Sequence, residues 1–423
     1  MRSFAAAVLV VALGFPAMAE DIWPQWRGPN RDAKVGGKEW PNTLGDSNIT
    51  QLWRKPLGSS YSSPIVSKDR VFVTETRNKS DEIVRALDRK TGEQIWEVKW
   101  PAAMTVPPFA AANGSWIRAT PAYDGENLYV ASMLDILVCL NATDGKEIWR
   151  MDFAKTQGTK QPAFGNVASP MVIGDFVYTQ SGGGLVKIQK DTGELVWKVL
   201  DNGNALMSGG AFSSPVQATI AGREMLLVQT RTTLVGVDAD SGKELWSQDV
   251  PAFRGMNILT PTVSKDTVFT STYQGGSFLF GIESSGSGMS VTQLWKNKVQ
   301  AYMSSPVVIK GHAYLHLRNK NIVCLDLTTG EQKWITKKYG AYMSMVAQGD
   351  QILGLDADGQ LILFEANPTE FKLIGSKKVS NESTWAHIAI CDDEIYVREL
   401  NAIAAYRWSN PKAAATRPAT TIR

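Results

Sequence analysis

Residues 86–96 read Ala-Leu-Asp-Arg-Lys-Thr-Gly-Glu-Gln-Ile-Trp, and this stretch decides the fold. The apolar residues that alternate before Asp88 predict a half-buried strand, and the Glu-x-x-Trp arm predicts its partner strand. Between the two arms, Thr91-Gly92 predicts a tight turn, because glycine adopts a positive φ that a β-branched residue resists. The stretch therefore predicts an antiparallel hairpin whose second strand carries a tryptophan.

The same hairpin returns along the chain every forty to fifty residues or so, and a period of about that length with several short strands per unit is typical of a propeller blade. Each tryptophan is predicted to lie on the outermost strand of its blade, where a large flat ring can fill the wedge between two blades. Further copies are residues 139–149, 191–197, 237–246 and 326–334, a degraded copy at 281–295, and one at 365–368 that lacks the tryptophan. The predicted blade-docking tryptophans are Trp53, Trp96, Trp149, Trp197, Trp246, Trp295 and Trp334.

A second pattern precedes each hairpin: a hydroxyl residue, a proline and an apolar run, as in Ser63-Pro64. Proline at the first residue of a strand removes no hydrogen bond from the sheet. The chain has eight such strand starts, some of them weak, but only seven hairpins. The last unit ends after residues 402–406 and lacks one strand. The N-terminal strand, residues 49–54, can complete that unit. We therefore predict an all-β chain, an eight-bladed β-propeller of four-stranded antiparallel blades over residues 49–408, closed by the N-terminal strand.

The two ends of the chain differ from the repeats. A basic residue, a short apolar run and a small-residue motif that ends at Ala19 are features of a secretory signal peptide. We expect residues 1–19 to be a signal peptide cleaved after Ala19, residues 20–48 to be an extended Trp-rich segment, and residues 409–423 to be a disordered tail. No cysteine follows the apolar run, so no lipoprotein site is predicted, and no later stretch is apolar enough to cross a bilayer. The expected location is the periplasm or the medium.

Composition excludes several classes of site. Lys and Arg number 44 against 41 Asp and Glu, a balance that argues against a nucleic-acid partner. Cys139 and Cys324 occupy the same repeat position in distant blades, so these two and Cys391 are expected to be free thiols. His312 and His316 alternate on one strand face, where they can hold a metal or pack between blades, and packing is favoured because no third ligand is evident. No metal site and no catalytic residue are predicted.

The Ala-x-Asp-x-x-Thr-Gly-Glu-x-x-Trp hairpins resemble the pyrroloquinoline quinone (PQQ) repeat, and they cover nearly all of the chain after Ile49. That repeat occurs in two groups of eight-bladed proteins: quinoprotein dehydrogenases, and non-catalytic proteins such as the BamB component of the outer-membrane β-barrel assembly machinery. The dehydrogenases resemble one another in a vicinal cysteine pair, calcium ligands and an Asp base, and some relatives carry a Cys-x-x-Cys-His haem motif. This chain has neither adjacent cysteines nor that haem motif.

The resemblance therefore favours an exported, non-catalytic propeller that acts as a protein-binding scaffold or ligand-binding module, similar to the BamB type. It implies a protein partner in the cell envelope, no cofactor and a monomeric chain. Two alternatives stay open. One is a PQQ-dependent alcohol or sugar dehydrogenase that holds PQQ and calcium, and the other is a sensor or accessory module of an envelope complex.

A candidate binding site follows from the blade geometry. In a four-stranded blade, the link to the next blade and the turn between strands two and three lie on the same face. These links are long at residues 97–118, 150–167, 198–212 and 247–258, so one side of that face is predicted to be walled, and functional residues concentrate on such loops. The aromatic and basic residues there can clamp a ligand, anchor a partner loop, or only plug the channel. The candidate binding residues are Trp116, Arg118, Arg254, Asn257, Tyr302, Tyr342, Trp385 and His387.

Overall fold

The structure is a computed structural model that describes residues 22–202, 209–286 and 288–409. The predicted signal peptide and all of the predicted tail except Ser409 lie outside these residues. The described chain forms eight four-stranded antiparallel sheets, arranged as the blades of a propeller. The eight-bladed all-β prediction is confirmed. No helix in the described ranges has the length and apolarity of a membrane span.

Each blade is an up-and-down meander, and its strands follow chain order from the channel outward. Blades 1 to 4 contain β2 Ile65–Val66, β3 Arg70–Arg77, β4 Asp81–Asp88 and β5 Gln94–Pro101; β6 Ala122–Tyr123, β7 Asn127–Ala131, β8 Ile136–Asn141 and β9 Glu147–Asp152; β10 Met171–Ile173, β11 Phe176–Ser181, β12 Gly184–Gln189 and β13 Leu195–Val199; and β14 Val216–Ile220, β15 Arg223–Gln229, β16 Thr233–Val237 and β17 Glu244–Asp249.

Blades 5 to 8 continue the same order, except that the last blade takes its outer strand from the start of the propeller. They contain β18 Thr262–Ser264, β19 Thr267–Thr272, β20 Gly276–Ser285 and β21 Gly288–Asn297; β22 Val307–Ile309, β23 His312–His316, β24 Asn321–Asp326 and β25 Gln332–Lys338; β26 Met343–Gln348, β27 Gln351–Asp356, β28 Gln360–Glu365 and β29 Leu373–Lys378; and β30 Ala389–Cys391, β31 Glu394–Glu399, β32 Ala402–Trp408 and β1 Ile49–Pro56.

The N-terminal strand closes the ring, as predicted. β1 pairs antiparallel with β32, from Ile49 opposite Trp408 to Pro56 opposite Ala402. The Arg54 guanidinium donates to both carboxylate oxygens of Glu399, at 3.0 and 2.6 Å, and ties the added strand to β31. Without β1, the apolar strand β32 would present an open edge to other chains.

The hairpin tryptophans join neighbouring blades. Six of the seven donate their indole N–H to a backbone carbonyl in the hairpin of the next blade; Trp53, for example, donates to Arg89 at 2.9 Å. The hairpin glycine lies under the ring, and a Cβ on Gly92 would stand 2.7 Å from the Trp53 ring. Trp246 differs, because its indole contacts the Met225 sulfur within its own blade. The other five tryptophans that donate to the next blade are Trp96, Trp149, Trp197, Trp295 and Trp334.

The segment before the propeller enters the central channel, and we call residues 23–35 the plug. At one end Trp23 exchanges two backbone hydrogen bonds with Val66 of blade 1. At the other end Ala33 and Val35 pair with Ala347 of blade 7. The plug therefore occupies the axis of the ring and bridges blades that are far apart in sequence.

Two arginines fix the middle of the plug. Arg31 donates to the carbonyl oxygens of Ser169 and Pro170 in blade 3, at 3.1 and 2.9 Å. Arg27 donates to the carbonyl of Pro306 in blade 6. Both guanidinium groups are fully buried, and desolvation lowers the pKa of Arg27 to about 10 and that of Arg31 to about 9. Their hydrogen bonds thus satisfy carbonyl groups at the start of inner strands.

Candidate functional site

The two faces of the ring differ in relief. One face, which we call the loop face, carries the links between blades and the turns between second and third strands. The four links predicted to be long are long, at residues 102–121, 153–170, 200–215 and 250–261, whereas blades 6 and 7 are joined by residues 339–342 alone. The long links include the short helix Phe153–Gln157 and 3-10 turns at Pro108–Asn113 and Phe253–Gly255. The loop face is therefore walled over blades 1 to 5 and low elsewhere.

Inside this wall lies a concave cavity of about 640 Å³, which we call the bowl. Its volume lies in the range of drug-sized ligand sites, of the order of 300–1,000 Å³. Most of its lining is aromatic or aliphatic, with three arginines and one asparagine among the described residues. The bowl is lined by Phe109, Ala110, Asn113, Arg118, Phe164, Val167, Phe212, Arg231, Phe253, Arg254, Met256, Ile258, Tyr273, Tyr302 and Met303.

Aromatic rings build the wall of the bowl in two edge-to-face runs. Phe109, Phe164 and Phe212 come from three successive links, and their ring centroids are 6.0 and 5.7 Å apart. In the second run, Tyr273 contacts Phe253 and Tyr302, each at 5.4 Å. Edge-to-face geometry is a favourable arrangement of aromatic pairs, so each ring orders its neighbour across blade boundaries.

A stack of four rings forms the floor next to the bowl, and we call it the floor stack. Tyr61 and Trp385 stack at 5.4 Å with an interplanar angle of 19°. Tyr342 stacks on the other face of Trp385 at 6.0 Å, and Trp116 meets the edge of Tyr61 at 5.4 Å. Together with Trp26 at the tip of the plug, most of these rings line a smaller chamber of about 140 Å³ that shares Arg118 with the bowl.

The arginines of the bowl are held by neutral groups. Arg118 lies 5.9 Å from the Tyr61 ring and donates to the carbonyls of Asn113 and Gly114. Arg231 lies 4.4 Å from the Phe212 ring and donates to the Arg254 carbonyl at 2.7 Å. Burial lowers the pKa of both Arg118 and Arg231, because desolvation disfavours the charged form. The described lining contains three arginines and no Asp or Glu, so its formal charge is positive.

Beneath the floor, His387 lies between the two tryptophans of the plug. Its ring stacks on Trp23 at 6.2 Å and meets the edge of Trp26 at 5.2 Å. Trp26 in turn donates to the Thr260 hydroxyl at 2.9 Å. Burial, reinforced by the nearby Arg27, lowers the pKa of His387 to about 3, so the ring is neutral at ordinary pH.

The structure brings together six of the eight candidate binding residues. Arg118, Arg254 and Tyr302 line the bowl, and Trp116, Tyr342 and Trp385 form the floor stack with Tyr61. The other two candidates lie outside both groups. Asn257 is buried and donates to the carbonyls of Arg231 and Val250, where it holds the link in shape. His387 packs against the plug below the floor.

The sequence predicted a wall of long links but not all of the residues that line the site. Tyr61 lies between β1 and β2, and Arg231 and Tyr273 lie in turns between second and third strands. Each of the four long links contributes one phenylalanine to the bowl: Phe109, Phe164, Phe212 and Phe253. A phenylalanine in every one of four consecutive long links was a signal that could have found them, although the second link also carries Phe153, which is buried at the start of the short helix.

Other binding chemistries find little support in the described residues. No group of three His, Cys, Asp or Glu is placed to hold a metal. His316 is buried and its pKa is lowered to about 4 by desolvation, whereas Nδ1 of His312 lies 3.1 Å from the Lys310 carbonyl oxygen, which can only accept a hydrogen bond. The three cysteines form no disulfide with a described residue, and they are buried in β8, β24 and β30. The bowl also does not fit PQQ with calcium, because its described lining offers no carboxylate ligand.

Comparison with known proteins places the chain in a family. The family model described as outer membrane protein assembly factor BamB matches residues 44–114 and 80–336. The chain belongs to this BamB family. The match spans blades 1 to 5 and most of blade 6, so BamB membership rests on the repeats themselves.

Two curated BamB proteins illustrate the distance within the family. The chain is 24% identical to outer membrane protein assembly factor BamB of Yersinia pestis over 380 residues, which cover 85% of this chain and 88% of that protein. It is 26% identical to the BamB of Moranella endobia over 267 residues, or 58% of this chain and 64% of the relative. The chain thus spans slightly less than two thirds of the second relative.

Solved structures share the fold at low identity. BamB from Moraxella catarrhalis superposes with a TM-score of 0.60 at 15% identity and covers 86% of this chain and 98% of its own. The quinohemoprotein alcohol dehydrogenase ADHIIG from Pseudomonas putida HK5 also gives 0.60, at 12% identity, with 92% of this chain and 80% of its own covered. Equal scores for a BamB and a dehydrogenase show the propeller fold alone.

Proposed function

We propose that this chain is a protein-binding assembly factor of the cell envelope that receives its partner in the bowl on the loop face. The observation that carries the proposal is the lining of the bowl. Aromatic residues, methionine and arginine are enriched at the centres of protein interfaces. In the bowl they come together from five links between blades and two turns within blades. Membership of the BamB family, whose description names outer membrane protein assembly, supports the same function.

The exposure of the rim supports a macromolecular partner. Phe109 is 67% exposed and Phe253 is 37% exposed, and both line the bowl. Large exposed aromatic side chains around a cavity are typical of an interaction site rather than of a sealed core. Since the blades are rigid sheets, the links can present these rings in fixed positions.

The predicted signal peptide supports a chain that works in the periplasm. In this proposal the chain acts as a monomer and uses no cofactor. The dehydrogenase alternative has no specific observation in its favour, because the lining of the bowl lacks calcium ligands among the described residues.

Site-specific photo-cross-linking in cells that express the chain natively tests the proposal. A photoreactive phenylalanine analogue replaces Phe109 at the rim of the bowl, and the control replaces Leu294, which is 53% exposed on the outer strand of blade 5. We expect adducts with an outer-membrane assembly protein from position 109 and none from position 294. Equal adducts at both positions, or PQQ- and calcium-dependent turnover of alcohols by the purified chain, would contradict the proposal.

A further inference from the structure

The described lining of the bowl has three positive charges and no negative charge. Arg118, Arg231 and Arg254 line it, and none of them forms an ion pair with a described residue. A fourth arginine, Arg318, lies 4.2 Å from the Tyr273 ring in the same wall. Arg118 and Arg231 are half-buried and Arg254 is exposed. The cluster therefore presents positive charge at the cavity that a ligand carboxylate can balance.

Hydrogen-bond donors in the same place lack acceptors. The Nε atoms of Arg118 and Arg231 are out of contact with solvent and have no partner among the described residues, and neither has the indole N–H of Trp116. The Nη2 atoms of Arg118 and Arg231 donate to backbone carbonyls, which hold both heads in place. A ligand in the cavity does not reach these covered atoms, so it meets the guanidinium charge rather than these N–H groups. A carboxylate suits that charge, because hydrogen bonds between two charged groups are about twice as strong as neutral ones.

The wall supplies the complementary apolar half of a binding site. Its two runs of edge-to-face rings end at Phe109 and at Phe253, so a further ring can join either run from the mouth. Met256 and Met303 lie on the same lining, and methionine adapts its shape to an incoming aromatic group. The favoured ligand therefore combines an aromatic ring with nearby negative charge.

We propose that the bowl binds an acidic segment of a protein partner, with one aromatic side chain inserted between the wall residues and its flanking carboxylates on Arg118, Arg231 and Arg254. This inference rests on the proposed function, because it names the chemistry of the partner that the bowl receives. An inserted protein segment explains the rim better than a small molecule does. A small-molecule site encloses most of its ligand, whereas Phe109 here presents ring surface outside the cavity.

A peptide titration tests this chemistry directly. The probe is a fluorescein-labelled peptide of sequence GSDEFDESG, and fluorescence anisotropy measures its binding to the purified chain at several salt concentrations. Two matched peptides separate the two parts of the proposal: GSDEADESG lacks the ring, and GSNQFNQSG lacks the charges. We expect each to bind at least tenfold more weakly than the probe, and we expect the affinity of the probe to fall as salt rises.

Variants of the chain place the binding in the bowl. The double variant Arg231→Gln/Arg254→Gln should weaken binding about tenfold and reduce its salt dependence. The matched control Arg223→Gln/Arg407→Gln removes the same charge from two partly exposed arginines on other strands, and it should bind within about twofold of the wild type. Phe109→Ser, at an exposed site, should weaken binding while leaving the thermal unfolding midpoint unchanged.

Four outcomes overturn the inference. The amide peptide binding as well as the acidic one removes the charge argument, and equal affinities of the two double variants remove the bowl as the site. If PQQ instead binds with a one-to-one stoichiometry that depends on Arg231 and Arg254, and the peptides do not bind, the bowl is a small-molecule site. If cross-links from position 109 still form in the presence of the acidic peptide, the proposed function stands and this partner chemistry is rejected.

Discussion

At the scale of single residues, the seam between two blades depends on a glycine that lies under a tryptophan. Gly92 has a φ of +70°, and a Cβ there would meet the Trp53 ring at 2.7 Å. Gly222 has nearly the same φ, +74°, with no atom within 4 Å of its Cβ position. The pair thus separates backbone strain from steric contact with the ring.

We predict that Gly92→Ala destabilises the chain more than Gly222→Ala does. Both variants place alanine in left-handed backbone, at a cost of roughly 1–2 kcal/mol. Only Gly92→Ala must also displace a tryptophan, which adds roughly 1–3 kcal/mol. Urea unfolding followed by tryptophan fluorescence measures both. Equal midpoints would show that the glycines serve only the turn.

A second residue-scale prediction concerns His387, which is fully buried with a pKa of about 3 against an ordinary 6.5. Below pH 6.5 the unfolded chain takes up a proton on this residue and the folded chain does not. Stability from the neutral ring is therefore present above pH 6.5 and is lost as the pH falls towards 3. Between pH 8 and pH 5 the loss amounts to about 2 kcal/mol.

The variant His387→Phe removes this titration and keeps an aromatic ring between Trp23 and Trp26. Between pH 8 and pH 5 the free energy of unfolding should fall for both chains. The fall should be about 2 kcal/mol smaller for the variant than for the wild type. The two chains must be compared because Asp135 also titrates in this range: burial raises its pKa to about 6. Protonation of Asp135 raises the stability of the folded chain as the pH falls, which is opposite to the effect of His387. Parallel pH profiles for the two chains would refute the assignment.

At the scale of elements, strand β1 works as the outer strand of a blade whose other strands lie at the far end of the chain. Trp53 on this strand is buried and donates to Arg89, as Trp96 on β5 donates to Ala142. The contacts are equivalent although Trp53 belongs to no hairpin motif.

We therefore predict that Trp53→Ala and Trp96→Ala destabilise the chain alike, by about 3–5 kcal/mol each. Ile95→Ser is the control, because Ile95 is 44% exposed beside Trp96 on the same strand. Its effect should stay within about 0.5 kcal/mol. A harmless Trp53→Ala would mean that the seam between blades 8 and 1 is not held by this strand.

The repeated hairpin made the elements readable from sequence, because its turn chemistry and apolar alternation are local. The plug was not readable in the same way. Arg27 and Arg31 reach carbonyls 279 and 139 residues away, and no local pattern marks such partners. The bowl could be predicted in part, because the long links form its wall. Asn257 lies outside its lining, since it bonds to its own link, and Arg231 was missed, since it lies in a turn between β15 and β16.

At the scale of the whole molecule, closure by β1 connects the stability of the ring to its solubility. With β1 in place, β32 pairs on both sides; its partners are β31 and β1. Six of the seven β32 side chains are buried hydrophobic residues in this arrangement: Ala402 to Tyr406, and Trp408. A strand of this composition with one free edge is a template for pairing with other chains.

The last prediction follows from that edge. A chain that begins at residue 58 lacks both the plug and β1, so it should associate through β32 and elute from size-exclusion chromatography as large aggregates. Co-expression of residues 22–57 as a separate segment should restore the monomer peak, because the segment carries its own contacts to Ala347, Glu399 and β32. A segment with Trp53→Ala and Arg54→Ala is the matched control and should restore it poorly. A truncated chain that runs as a folded monomer by itself would show that seven complete blades and one incomplete blade suffice, and that the edge of β32 is protected by something other than β1.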